Sequence, residues 1–93
     1  MKFNEETFEY LNPEDYGINK RQKIIRVSDD EIGIVKLRKS RIIMKDGKQI
    51  IQISEAIKSK NSMLKVNLII SGPICSKTTK YLNENNINII CID

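Results

Sequence analysis

Isoleucine restricts this chain more than any other feature: eighteen of its 93 residues are Ile, against five aromatic residues and no Trp. Branching at Cβ stiffens χ1 and packs well on a pleated surface, so a core built this way favours strands. Ninety-three residues are enough for one modest core and too few for two, which makes residues 1–93 a single domain. Twelve Lys and nine Asn accompany the Ile. A low-GC genome produces the same mix, so total lysine alone carries little functional information.

Several classes are set aside at once. The longest apolar runs, Val66 to Ile70 and Ile87 to Ile92, are interrupted by Asn and fall far short of the roughly 20 residues of a membrane span. The first residues, Met-Lys-Phe-Asn-Glu-Glu, have neither the apolar segment of a secretory signal nor the basic character of a transit peptide. A cytoplasmic location is therefore expected. Cys75 and Cys91 are sixteen positions apart and the chain has no His, so close-spaced zinc ligands and a disulfide framework are both missing from the pattern. Both cysteines read as reduced thiols, Cys91 as part of the core. No cofactor or metal is expected.

Charge divides the chain into three zones. Residues 1–16 carry one Lys against five acids, residues 17–60 twelve bases against five acids, and residues 61–93 three bases against two acids. The acidic first zone can form a short helix from Asn4, with Phe3, Thr7, Tyr10 and Leu11 at helical spacing, ending before Pro13. The basic second zone reads as four strands over 22–27, 32–38, 41–45 and 48–53. Asp46-Gly47 between the last two is the residue pair that a two-residue hairpin turn favours, since both positions of such a turn need positive φ. In the third zone Ser54 caps a short helix over 55–61, and then 66–71 reads as a strand, 76–85 as a helix and 87–92 as a strand. The last three make a βαβ unit, whose strands are apolar on both faces as buried parallel strands are. The expected fold is α+β: a small mixed sheet, an antiparallel meander over 22–53 followed by helix and βαβ unit over 54–93, with about six strands and two or three helices.

The hairpin register collects Arg26, Lys36, Arg38, Arg41, Lys45 and Lys48 on one sheet face, interleaved with an apolar stripe of Ile24, Ile34, Ile43 and Ile50. Three readings compete for that face. As a nucleic-acid surface it would neutralise phosphates and release counterions, giving salt-dependent affinity; it has no aromatic residue on which single-stranded bases would stack. As a homodimer or partner interface it would use the Ile stripe as its centre and the bases as its rim. In the third reading the acidic N-terminal segment covers it, with Phe3, Tyr10 and Leu11 on the stripe.

Ser71-Gly72-Pro73-Ile74-Cys75-Ser76 leaves a strand and opens a helix, where free N–H groups suit an anion. With one Gly and a Pro it matches no phosphate-loop or dinucleotide pattern, and a plain strand-to-helix turn explains it. Cys75 at that helix start is placed for a lowered pKa, with Lys77 and Lys80 near, but without His it has no partner base of the usual kind. Asp29 and Asp30 read as a turn and Asp46 as part of its hairpin, so no carboxylate pair marks a catalytic dyad.

From Asp30 onward the order of elements resembles the core of the Mrr-type restriction-endonuclease fold, with 41–53 as its central hairpin and 65–93 as its closing strand-helix-strand. That resemblance implies a metal-dependent nuclease in which an acidic residue, here Asp30, is followed two strands later by Glu or Gln, any residue and Lys. Gln52-Ile53-Ser54 stands at the second place without the Lys. The same stretch is similar to the N-terminal β domain of the CRISPR integrase, which implies binding or assembly rather than catalysis. The leading expectation is a non-enzymatic nucleic-acid-binding module. The alternatives are a homodimerising assembly module and a degenerate or active nuclease using Asp30 and Glu31 with Mg²⁺.

Overall fold

The structure is a computed structural model that describes residues 8–92. One five-stranded mixed sheet in the order β1-β2-β3-β4-β5 carries two helices, an α+β fold as the sequence leads one to expect. The strands are β1 (Glu9–Leu11), β2 (Ile24–Ser28), β3 (Glu31–Lys36), β4 (Lys65–Ile70) and β5 (Ile87–Cys91). β1, β2 and β3 pair antiparallel. β3, β4 and β5 pair parallel, so the two connections between them must cross over the sheet, and each contains a helix: α1 (Met44–Lys60) and α2 (Ser76–Glu84).

The expected hairpin over 41–53 is absent, and α1 takes its place. Ile42, Ile43, Ile50, Ile51 and Ile53 satisfy a period of two and a period of 3.6 equally well; burial shows which one operates. Gly47, Ile50, Ile53, Ser54 and Ile57 are the buried set, spaced three, four and seven apart as one helix stripe requires. The short helix expected over 55–61 is the last part of this same helix. Asp46 and Gly47 serve α1 instead of a turn. The Asp46 carboxylate accepts from the N–H of Ile43, 3.0 Å away, satisfying one of the amides that a helix start leaves open. Gly47 is needed for close approach: a Cβ there would lie 3.0 Å from the Thr78 methyl and 3.4 Å from the Tyr81 ring of α2. The helix-breaking tendency of Gly, about 1 kcal/mol, is the cost of bringing the helices together.

Both helices lie on one face of the sheet, where Ile24, Ile32, Ile34, Val66, Leu68, Ile70 and Ile87 meet Ile50, Ile57 and Leu82. A smaller cluster of Ile25, Val35, Ile69 and Ile92 occupies the opposite face, flanked by Phe8, Val27, Leu37 and Ile90. The N-terminal helix reading is corrected where residues are described: Tyr10 and Leu11 belong to strand β1, and Pro13–Tyr16 is a single 3-10 turn. Asn12 caps that turn by accepting from the N–H of Glu14 at 3.1 Å, and Gly17 closes it at φ 71°. Met1–Thr7 lie outside the described residues. Glu9–Leu11 extends the sheet edge rather than covering a basic face, with Glu9 3.5 Å from Arg26.

Candidate nucleic-acid interface

Parallel strands connected by crossovers all end at one rim, and the helix that follows each strand begins at that rim. Here the ends of β3, β4 and β5 meet the starts of α1 and α2. The two loops entering the helices are tied together: the Ile42 N–H donates to Pro73 O at 3.0 Å and the Cys75 N–H to Ile42 O at 2.9 Å. Gly72 lets the loops touch, since a Cβ on it would sit 2.2 Å from the carbonyl oxygen of Arg38. Ser71–Cys75 is thus the plain strand-to-helix turn of the sequence reading, and it braces the loop that carries Arg38–Arg41.

That loop and the first turns of α1 hold most of the expected basic residues. Lys36 ends β3, half-buried on the helix-covered face; burial first, and the Arg38 charge second, push its ammonium below the usual Lys range, with Asp46 opposing in part. Arg38 bonds Asp46 through one terminal nitrogen, and that nitrogen also lies 3.4 Å from Arg41 O. Burial would raise the Asp46 carboxyl, but the Ile43 N–H, the Arg38 guanidinium and the Lys36 charge outweigh it and hold the pKa below the usual range. The Nε of Arg38 is buried without a hydrogen-bond partner among the described residues. Lys39, Arg41, Lys45 and Lys48 are exposed. From Val35 to Ile53 six bases therefore face one acid, Asp46.

Not every expected site residue joins this rim. Arg26 stands apart on β2, paired to Glu9. Ile24, Ile34 and Ile50 form no exposed stripe: each is fully buried, with 0% of its surface accessible, because β2 and β3 turn Ile24 and Ile34 toward the helices, where Ile50 of α1 packs into the same core. Ile43 alone of the four is exposed, at 48%, between Arg41 and Lys45. Lys39, assigned by the sequence to a connection, sits at the centre of the rim, as its neighbours Arg38 and Arg41 could have suggested. Cys75 precedes α2, and its thiol is held below the ordinary range by the backbone N–H groups of Lys77 and Thr78, with the Arg41 charge adding to them. Cys91, expected in the core, is exposed on β5.

The opposite rim gathers different chemistry. The β2–β3 turn places Asp29 and Asp30 there, beside Glu31 at the start of β3, with the single Ser28 hydroxyl proton shared between Asp30 at 3.1 Å and Glu31 at 3.0 Å. The Asn67 side chain, buried on β4, donates to Glu31 at 3.4 Å. A cleft of about 560 Å³ beside them is lined by Glu31, Lys58, Lys65, Asn67, Asn86 and Asn88. Gln52-Ile53-Ser54 lies on α1 and not on a strand, so the pairing of Asp30 with a motif two strands later is corrected. Among the described residues no group of three or more His, Cys, Asp or Glu is arranged to hold a metal ion, and no helix is long and apolar enough to cross a membrane.

Taken together these features define an α+β domain with both crossover helices on one sheet face and a basic rim at the carboxyl ends of its parallel strands. Among solved structures, that of EndoMS in apo form shares this fold, with a TM-score of 0.65 and 15% sequence identity over 92% of this chain. The matched region is 36% of the EndoMS chain, so the present chain spans about a third of that protein. No family model matches the sequence, and no curated protein matches it.

Proposed function

We propose that this chain is a nucleic-acid-binding module that grips phosphates with the rim formed by Lys36, Arg38, Lys39, Arg41, Lys45 and Lys48. The observation that carries the reading is where these charges sit relative to the helices. A helix N-terminus already bears a partial positive charge, so bases in the first turn oppose it, each by about 0.3–1 kcal/mol. Lys45 lies in the first turn of α1 and Lys77 in that of α2, with Lys48 and Lys80 just beyond, and Asp46 is the single acid in either first turn. Stability would favour the reverse arrangement. Anions docked at the rim would meet open helix N–H groups and bases together, which turns the accumulated charge into binding energy. A phosphate docked beside Lys36 would also favour its charge, which burial and Arg38 disfavour in the free protein. With no exposed aromatic among the rim residues, contact runs through the phosphate backbone, and duplexes suit it better than stacked single strands.

Fluorescence anisotropy with labelled duplex DNA tests this reading: Arg41→Glu together with Lys45→Glu should weaken binding by a hundredfold or more at low salt. Unchanged affinity would end it. The nuclease alternative keeps one support, the fold shared with EndoMS. On that reading the protein nicks plasmid DNA only with Mg²⁺ and loses this on Asp30→Ala. Intact plasmid after prolonged incubation with Mg²⁺ would remove it.

A further inference from the structure

The two edges of the sheet are built differently. β1 is three residues long, carries Glu9 in an ion pair with Arg26, and runs into a 3-10 turn. Short length and charge are the usual ways of keeping an edge strand from pairing with another chain. β5 has neither protection. Ile87-Asn88-Ile89-Ile90-Cys91 contains no charge and no Pro, its register with β4 runs without a bulge, and among the described residues it pairs with β4 alone.

The orientation of its backbone follows from one hydrogen bond. The Ile92 N–H donates to Ile70 O at 2.8 Å, so Ile92 faces β4, and by the alternation of a strand Asn88 and Ile90 do too. The N–H and C=O groups of Ile87, Ile89 and Cys91 therefore point outward, away from the sheet.

We propose that β5 is a homodimerisation edge, pairing antiparallel with β5 of a second copy of this chain. A two-fold axis normal to the sheet brings the same strand face to face, satisfies the outward groups of Ile87, Ile89 and Cys91 on both chains, and uses up both open edges, so assembly stops at two. The strand is uncharged, so the copies meet no like-charge repulsion at the contact. The joined sheet has ten strands with all four helices on one face. Because the axis reverses strand direction, the two basic rims lie at opposite ends of the dimer and remain free. The buried stripe of Ile24, Ile34 and Ile50 has no part in this contact.

Sedimentation velocity in reducing buffer, which keeps Cys91 from forming a disulfide, tests the proposal from low to high micromolar protein. The expected species is a dimer of the 10.8 kDa chain. Cys91→Lys places a charge on an exposed edge position, and Cys91→Pro removes an outward donor while leaving the ladder to β4 intact. Both should give monomers with unchanged circular dichroism, and amide exchange at Ile89 should accelerate at least tenfold in Cys91→Lys. A wild-type protein that stays monomeric throughout, or a Cys91→Lys protein that still dimerises, would overturn the proposal. Arg41→Glu should leave the dimer intact, which separates this contact from nucleic-acid binding.

Discussion

The two rims of this sheet are made by the same crossovers and differ in charge, one almost wholly basic and the other mixed. At the carboxyl rim two helices begin, and bases gather around one acid. At the amino rim the helices end, Asp29 and Asp30 stand in the β2–β3 turn with Glu31 opening β3, and Lys58 and Lys60 sit in the last turn of α1, where a base is favourable. At the amino rim the end of α1 is arranged as stability would have it, while α2 ends on Glu84 with no base in its last turn. At the carboxyl rim only Asp46 offsets the accumulated bases, and on the proposed function a ligand of negative charge would offset the rest. An electrostatic feature that costs the free protein free energy is more informative about function than one that stabilises it.

The largest expected effect comes from breaking the brace between the loops of the carboxyl rim. Gly72→Ala drives a Cβ into the carbonyl of Arg38. The loops must separate, at a cost of about 1–3 kcal/mol seen in urea unfolding, and affinity for duplex DNA should fall with it. Gly17→Ala near the N-terminal end of the described chain meets nothing within 4 Å and should leave affinity unchanged, although its φ of 71° will cost about 1 kcal/mol of stability.

Next is Asp46, the one acid of the rim. Its Asn variant weakens both the Ile43 cap and the Arg38 pair and should lose about 1 kcal/mol, while duplex binding tightens several-fold as a negative charge leaves. The Asp46 pKa is lowered on folding, so the stability it provides is fully present above the unfolded value of about 3.9. That contribution is lost as pH falls through the folded value. Comparing acid unfolding of the wild type and Asp46→Asn below about pH 4 checks the sign: the difference between them should shrink toward zero.

Lys36→Gln should separate stability from function. A Lys whose pKa is depressed in the fold destabilises while charged, and the penalty is relieved only as pH rises through the folded value toward the unfolded one. Removing the charge should raise the thermal midpoint at neutral pH and weaken duplex binding a few-fold. A variant that binds as tightly as wild type would place Lys36 outside the contact. The smallest effect belongs to the amino rim: Asp29→Asn should shift affinity less than twofold.

Most of the sheet was legible in the sequence. β2, β3, β4, α2 and β5 fall within two or three residues of the segments read from apolar runs and Gly or Pro breaks, because those runs allow one period only. Residues 41–53 were not, since Ile pairs at 42–43 and 50–51 satisfy both periods and Asp46-Gly47 is as useful to a helix start and a helix crossing as to a turn. β1 escaped notice because three residues contain no period, and its strand conformation comes from pairing with Arg26, Ile25 and Ile24. Five of the six basic residues, Lys36, Arg38, Arg41, Lys45 and Lys48, lie together in the fold, and the geometry uniting them is a rim and not a face. Arg26 consequently drops out and Lys39 enters.

The most direct test of the central claim is a salt titration of duplex DNA affinity for the wild-type protein. The rim predicts that log affinity falls linearly with log salt; for about four phosphates contacted the loss between roughly 50 and 200 mM is on the order of a hundredfold. Binding that is absent at the lower salt, or that is indifferent to salt, would contradict the account.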